Sequence, residues 1–386
     1  MQVTDPMPGP ETATLAPTSS LALRFTGSGS EYFRIWIVNL LLTVVTLGIY
    51  YPYAKARKLR YFHENTLVGG APLSFHGDPR RMLRGYLLIG GLFVLYSILA
   101  GTAPLLAAMM LVCSVPLAPL LLWSALRFRL GQTGWRGLRF QFDGSLRDAY
   151  FVFLPIVLPL AAFVLAQSLL VAPGEEATAL LALKTILSAL GSLGLAVMAP
   201  WTHWRLKRYQ HSHYRLGHEV TRLDVSFGDY FNTQFKVGLA GLLCALGIGG
   251  IVAALTLVAG PAPVLLALLV PLSYLVIMAV AGGVMISGMQ NLIWGRTASA
   301  HARFHSDLAL LPLIKALLQN ALLVVCTLGF YWPFAAITVM RLRLEAIRIE
   351  LSLPLDQITG SAVSAGTHTA GEAAADLNPL GFDIDL

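Results

Sequence analysis

Charge is what this chain has least of. Only 12% of its 386 residues are Asp, Glu, Lys or Arg, about half the share usual in soluble domains, while 56% are hydrophobic. With a mean hydropathy of +0.68, water is excluded as its only solvent. Cysteine is also scarce. Cys113, Cys244 and Cys326 fall in separate apolar runs without paired spacing or neighbouring His or carboxylate, so neither a disulfide framework nor a thiolate metal site is expected. A phosphate loop ending in Gly-Lys-Ser/Thr, a His-Glu-x-x-His and a Cys-x-x-Cys are all missing. Gly27-Ser28-Gly29-Ser30 lacks their context and reads as a flexible turn. No cofactor, metal or catalytic group is therefore expected, and the chain is read as a non-enzyme.

What is abundant is apolar sequence in runs of about 20 residues, the length that crosses a hydrocarbon core ~30 Å thick. Eight such runs occur: Ile35–Ala54, Tyr86–Gly101, Pro104–Leu126, Ala149–Ala172, Thr178–Trp201, Val237–Ala259, Val264–Ile293 and Ala316–Met340. Tight turns at Gly101-Thr102-Ala103-Pro104, Pro173-Gly174-Glu175-Glu176 and Gly260-Pro261-Ala262-Pro263 join three pairs, and none holds Lys or Arg. The opposite connections, residues 54–85, 127–148, 203–236 and the loop after the seventh run, hold 20 of the 27 Lys and Arg. By the positive-inside rule these basic loops face the cytoplasm. The formal charge of +7 thus belongs to a membrane surface with anionic headgroups and not to a nucleic-acid module, which would need interleaved aromatics on a soluble domain.

No Asp or Glu lies inside any run, which removes the carboxylate that ion-coupled transporters commonly use. Lys184 can snorkel, and Asn39, Gln167, Gln290, Asn291, Lys315, Gln319 and Asn320 are read as interhelical hydrogen-bonding groups. Asn39 and Asn320 are the candidate polar path. His203, His211, His213 and His218 cluster in sequence, but no carboxylate pair completes a metal site, and solvated interface histidines are expected.

Internal repetition is the most informative feature. Residues 39–53, from Asn39 through Thr46-Leu47-Gly48-Ile49-Tyr50-Tyr51-Pro52-Tyr53, return without a gap as 320–334, from Asn320 through Thr327-Leu328-Gly329-Phe330-Tyr331-Trp332-Pro333-Phe334. A looser spacing puts Arg eight residues after Pro: Pro52 and Arg60, Pro119 and Arg127, Pro200 and Arg208, Pro333 and Arg341. Arg60, Arg127, Arg208 and Arg341 are read as interface anchors at headgroup depth. Between the basic segments lie alternating stretches ending in Phe, at Leu21–Phe25, Leu73–Phe75, Leu138–Phe142, Leu223–Phe227 and Ala300–Phe304. They predict short strands in a small cytoplasmic β layer.

The fold expected is an α-helical polytopic membrane protein of six to eight transmembrane helices in repeated hairpins, with that β layer. Residues 1–20 and 357–386 are expected to be disordered tails flanking a membrane domain over 21–356. No signal-peptide pattern opens the sequence, so the first run is expected to direct insertion. If 35–54 and 316–340 both cross, the basic segment with Arg341, Arg343 and Arg348 lies outside; if both are re-entrant, six spans remain and both ends stay inside.

The run Phe25-Thr26-Gly27-Ser28-Gly29-Ser30-Glu31-Tyr32-Phe33, with Asn39-Leu40-Leu41, Thr46-Leu47-Gly48-Ile49-Tyr50-Tyr51-Pro52, Arg60-Tyr61-Phe62 and Thr66, resembles the YjgN-like family of bacterial inner-membrane proteins. The likeness extends over residues 21 to about 356, with Tyr53 and Phe334 where that family commonly has Trp. It implies an inner-membrane location and a fold, but no activity and no catalytic residues. Three functional classes remain open: a passive or lipid-related transporter or channel, which leads; an envelope structural or interaction protein with a cytoplasmic partner-binding layer; and a lipid-active enzyme, which would need His203 or His211 beside Glu64 or Asp224. The sequence names no protein partner and no oligomeric state.

Overall fold

In the computed structural model of the chain, residues 19–114, 116–168, 178–260 and 263–354 are described. The strands organise it. The strand that opens each unit lies in a segment that alternates apolar and polar side chains, and the helix after it begins four residues beyond the strand's end. The result is five successive βααβ units. The first comprises β1 (Ser19–Phe25), α1 (Gly29–Val45), α2 (Tyr51–Glu64) and β2 (Thr66–Val68), and the second β3 (Ala71–Phe75), α3 (Pro79–Thr102), α4 (Pro104–Ser114), α5 (Leu117–Gly131) and β4 (Thr133–Trp135). The third holds β5 (Leu138–Phe142), α6 (Leu146–Ser168), α7 (Thr178–His211) and β6 (Tyr214–Leu216). The fourth holds β7 (Glu219–Val220), β8 (Arg222–Leu223), α8 (Phe227–Ala259), α9 (Pro263–Gly295) and β9 (Thr297–Ala298), and the fifth β10 (Ala302–Ser306), α10 (Leu310–Cys326), α11 (Trp332–Glu345) and β11 (Ile347–Leu351).

The strands form one antiparallel sheet of 11 in the order β7-β6-β5-β4-β3-β2-β1-β11-β10-β9-β8. Its two ends, β7 and β8, are separated in the chain by Thr221 alone, so the sheet is a nearly closed ring. Register repeats with the units: Phe25 faces Thr66, Phe75 faces Thr133, Phe142 faces Tyr214, Leu223 faces Thr297 and Ser306 faces Ile347. One residue further on, the amides of Thr26, His76, Asp143, Asp224 and Asp307 donate to the carbonyls of Asn65, Gln132, His213, Arg296 and Ala346 at 2.8–3.1 Å. Tight turns link the units. Gly69 and Gly70, and likewise Arg136 and Gly137, both have positive φ, the conformation of a two-residue hairpin turn that matches strand twist.

The expected small β layer is thus corrected to a near-closed ring of 11 strands. Strands of two or three residues carry no readable period, so β2, β4, β6 and β9 were invisible to alternation, and the stretch expected to end at Phe227 ends at Leu223, with Phe227 opening α8.

The eight apolar runs are also reduced. Among the described residues, five helices are long and apolar enough to cross a membrane, and six if the bent pair α4 and α5 makes one span. The runs 35–54 and 316–340 are not single helices. Each is a hairpin, α1 with α2 and α10 with α11, turned by the shared Thr-Leu-Gly sequence. Leu47 and Leu328 take φ near 50°, Gly48 and Gly329 φ near 90°. Gly48 N–H donates to Thr43 O at 2.7 Å and Gly329 N–H to Val324 O at 2.8 Å, while the Thr46 and Thr327 hydroxyls each accept the amide four residues later at 3.0 Å. Gly is needed at the second turn position because a Cβ is strained there. Pro52 and Pro333 then start the returning helices, where a missing N–H costs nothing. At 17 residues, α1 and α10 reach about 25 Å, and their tips expose Leu47 (94%) and Leu328 (89%). Apolar tips of that length suit hairpins that dip into lipid and return.

Segments 1–18 and 355–386, and the turns at 173–176 and 261–262, lie outside the described residues. With α3, the pair α4 and α5, α6, α7, α8 and α9 as six crossings and the two hairpins re-entrant, the first and last strands, β1 and β11, share the side that carries the basic loops. A cytoplasm-active reporter fused after Gly366 should therefore be active and a periplasm-active one silent; the reverse pattern would rule out this topology.

Candidate functional site

The second helix of each unit ends at the ring, and its last turns meet the loop that opens the next unit. Counted back from the residue before the closing strand, the Pro position is filled by Pro52, Pro119, Pro200, Gly283 and Pro333, and the Arg position by Arg60, Arg127, Arg208, Asn291 and Arg341. The fourth unit departs at both, which hid it from the spacing. Gly283 is required there by close packing: a Cβ would lie 2.4 Å from Ile314 of α10.

These helix ends clasp the following unit. Trp123 Nε1–H donates to Gly144 O at 2.8 Å, Trp204 Nε1–H to Val225 O at 2.9 Å and the Ser287 hydroxyl to Leu308 O at 2.7 Å. The Arg341 guanidinium donates to Gly27 O at 2.9 Å, tying the last unit to the first. All four acceptors occupy the same place, two residues beyond the opening strand. Of the four expected anchors, Arg341 is thus a clasp. Arg127 and Arg208 lie over Trp123 and Trp204, at 4.7 and 5.8 Å from the ring centres, and Arg60 is exposed.

Asn39 and Asn320 are buried, and each serves its own hairpin: the Asn39 amide donates to Ala54 O at 3.5 Å and that of Asn320 to Ala335 O at 3.4 Å. They tie helix to returning helix. Neither lines the cavity described next.

That cavity, about 710 Å³, lies where the third unit meets the fourth. Asp148, Phe151 and Val152 come from α6; Trp204, Arg205, Arg208, Tyr209, Ser212 and His213 from the end of α7; Arg222, Leu223 and Asp224 from β8 and its exit. The helix ends place it at the junction of apolar helices and sheet. Arg205 stacks over Trp201 at 4.7 Å, as Arg208 does over Trp204. Stacking holds a guanidinium by its face and leaves its N–H edge for an oxyanion. His213 Nδ1–H donates to Tyr209 O at 2.7 Å, which directs the proton of a neutral ring away from Nε2. Asp148 accepts the Ser145 hydroxyl at 2.7 Å. Among the described residues, none of Arg205, Arg208 and Arg222 forms an ion pair with Asp148 or Asp224.

Of the four histidines expected to be solvated, His218 is exposed and His213 half-buried, while His211 and His203 pack among other side chains. His211 is buried, with Trp294 and Tyr214 rings 5.1 Å away, and His203 Nδ1 is 2.6 Å from the Tyr230 hydroxyl. Neither lines the cavity; His213 does, beside Asp224. Among the described residues no group of three or more His, Cys, Asp or Glu could hold a metal. Sequence reasoning missed Arg205, Arg222 and Asp148 as a set, since they come from three elements; the Trp-x-x-x-Arg repeats around them, Trp201 and Trp204 four residues before Arg205 and Arg208, were the available signal.

At the first junction, burial lowers His63 to a pKa of about 4 from 6.5, with help from the Arg129 charge. Its Nδ1–H donates to Leu59 O at 2.7 Å, and Nε2 lies 3.4 Å from the Thr133 hydroxyl of the second unit.

Apolar helices of crossing length, joined by a ring of strands with a basic cleft where the two meet, define a multi-pass protein of the bacterial inner membrane. The chain belongs to the DUF898 family of bacterial proteins of unknown function, whose profile matches residues 20–377. It is similar to the inner membrane protein YjgN of Escherichia coli K12, 29% identical over 184 residues, 45% of this chain and 44% of that protein. The YjgN proteins of Escherichia coli O157:H7 and Salmonella typhimurium are 33% and 30% identical over 139 and 148 residues, 35% and 37% of this chain. Each match spans less than half of the relative's length, 34–44%. No solved structure matches.

Because the unfolded chain binds a proton at His63 near pH 6.5 and the folded chain only near 4, stability should fall as pH drops through that window and level off below it. The loss amounts to up to about 3 kcal/mol. Thermal unfolding in detergent between pH 7.5 and 4 should show this slope, and His63→Gln should flatten it; an unchanged slope would refute the assignment.

Proposed function

We propose that the protein is a non-enzymatic, lipid-related membrane protein whose ring of hairpins seats a phospholipid headgroup in the cavity between the third and fourth units. The observation that carries this reading is the convergence of Arg205, Arg208 and Arg222 on one cleft at headgroup depth, walled by Trp204 and Phe151. A phosphate diester meets three guanidinium groups there, and its acyl chains run along the apolar faces of α6, α7 and α8. Leu154 and Leu158 on α6, Leu190, Leu193 and Val197 on α7, and Phe235 on α8 are exposed. In lipid they are solvated by acyl chains, and so give an amphiphile a continuous apolar approach to the cleft. The junction itself is the least packed of the five: α7 touches α8 less than any other pair of neighbouring units touches across its boundary. Lateral passage of an amphiphile between membrane and cleft requires such a seam.

The test is phospholipid retained by protein extracted into mild detergent, measured as phosphorus per protein. A hydrogen bond to a charged group contributes about 1.5 kcal/mol or more, so replacing Arg205 and Arg208 with Gln should weaken retention by roughly tenfold per side chain. Arg60→Gln, at the same repeat position as Arg208, should retain as much lipid as the unaltered chain. Equal retention by the double variant would refute the reading.

A further inference from the structure

The cleft holds opposite charges that do not satisfy one another. Alongside Arg205, Arg208 and Arg222, its lining includes the carboxylates of Asp148 and Asp224, and among the described residues neither pairs with an arginine. A site for a purely anionic headgroup gains nothing from two carboxylates, which repel it. A headgroup that carries a cation a few bonds from its phosphate uses both. We propose that the cleft recognises a zwitterionic phospholipid with a primary ammonium, as in phosphoethanolamine, its phosphate on the arginines and its ammonium donating to Asp148 and Asp224. The inference rests on the phospholipid reading above and names the headgroup class.

The five-unit repeat supplies an internal control. At the first junction Arg57 and Arg60 face an opening strand that carries Ser74 and His76 in place of Arg222 and Asp224. At the second, Ser124 replaces Arg205, and Gln141 and Asp143 stand on the strand, where Asp143 pairs with Arg215 at 3.6 Å. At the fourth, Gly288 and Asn291 replace both arginines, and Asn291 is committed to the fifth unit, its Oδ1 accepting the Ser306 hydroxyl and the Leu308 amide at 2.8 Å each. At the fifth, Thr338 and Arg341 stand there, and Arg341 holds Gly27 O. Only the third junction unites two helix arginines, a strand arginine and the following carboxylate. At the fourth and fifth junctions Asn291 and Arg341 tie one unit to the next, whereas at the third the equivalent positions line a cavity.

The carboxylates are suited to an ammonium by position. Asp148 lies in the first turn of α6, and its hydrogen bond from Ser145 uses Oδ2, which leaves Oδ1 to accept. Asp224 follows the last strand residue, its backbone fixed by the bond to Arg296 O at 3.1 Å, and its side chain is exposed to the cleft. An ammonium with three N–H donors can serve both, whereas a quaternary ammonium has none. Discrimination against a choline headgroup follows directly, and discrimination against a glycerol headgroup follows from the missing charge.

The full chain is reconstituted into bilayer discs of equal parts phosphatidylethanolamine, phosphatidylglycerol and phosphatidylcholine, then stripped with mild detergent. The lipids that remain are quantified by mass spectrometry. The unaltered protein should retain phosphatidylethanolamine about fivefold over either competitor, the scale of one partly exposed ion pair. Asp224→Asn, and separately Asp148→Asn, which keeps an acceptor for Ser145, should erase that preference while retaining phosphatidylglycerol. Preferential retention of phosphatidylglycerol by the unaltered protein, or a preference for phosphatidylethanolamine that survives both Asn changes, would overturn the ammonium assignment and leave the phospholipid reading in place. Retention of none of the three, by protein whose thermal unfolding is cooperative, would overturn both.

Discussion

A strand of two or three residues has no stability of its own, and most of the structure follows from that. β2, β4 and β6 have three residues each, and β7, β8 and β9 two. β2, β4, β6 and β9 exist because each is bonded on both sides, while β7 and β8, the two ends of the sheet, are each bonded on one. The ring must therefore nearly close for any unit to hold its hairpin upright. β1 closes it by dividing its length: Ser19–Ala22 pair with β11, and Leu23–Phe25 with β2. The first and last hairpins are thereby fixed side by side, 320 residues apart in sequence at Phe25 and Glu345, and the membrane helices take their spacing from the sheet below them. Stacked hairpins behave like other repeat proteins in this respect, since each unit buries its edge only against the next.

The repeat tolerates exchange of side chains as long as the space they fill is kept. In the first three units an opening strand ends in Phe, and the residue two further on is Gly, over which the ring folds. A Cβ at Gly27, Gly77 or Gly144 would come within 2.5–2.7 Å of Phe25, Phe75 or Phe142. The fourth unit has Leu223 and Val225, the fifth Ser306 and Leu308. Bulk has moved from the strand to the loop. In every case the large apolar groups are buried at the same place beneath the helix cap, so the contact persists while the residue identities change. Close packing leaves no room for both to be large.

That exchange explains what could and could not be read from the sequence. Thr-Leu-Gly was legible because its turn needs a hydroxyl acceptor and a positive φ, which few residues supply, and Pro with Arg eight later was legible because backbone geometry and a helix end require them. The strands of the first three units showed their Phe. The fourth showed neither Phe, Pro nor Arg, and five-fold repetition was lost to view with it. Hydropathy could not separate one crossing helix from a hairpin of two, since the Thr-Leu-Gly turn is itself flanked by Leu, Val and Ile. Nor could it foresee that His211 would be buried, for histidine's burial is decided by Trp294, 83 positions away in the chain yet 5.1 Å away in space. The cavity was least legible of all, because α6, α7 and β8 contribute to it together and no one of them carries a motif.

The third junction differs from the rest in a way that bears on function. Of the five buried side-chain atoms without a hydrogen-bond partner among the described residues, four belong to α7: Thr202 Oγ1, both amide atoms of Gln210 and His211 Nδ1. A buried polar group left unpaired costs about 1–3 kcal/mol, so α7 carries a larger local penalty than α1, which holds the fifth such atom, Asn39 Oδ1. It is also the helix with the thinnest contact to the unit that follows it. Both features lower the free energy needed to part the third and fourth units, against which stand the pairing of β6 with β7 and the bonds from Leu223 N–H to Ser212 Oγ at 3.1 Å and from the Thr221 hydroxyl to His211 O at 2.6 Å. Regions that open are drawn from the least stable part of a fold. The cleft with its three arginines and two carboxylates therefore lies at the boundary with the thinnest helix contact, one held by the Trp204 clasp on Val225 and by the pairing of β6 with β7.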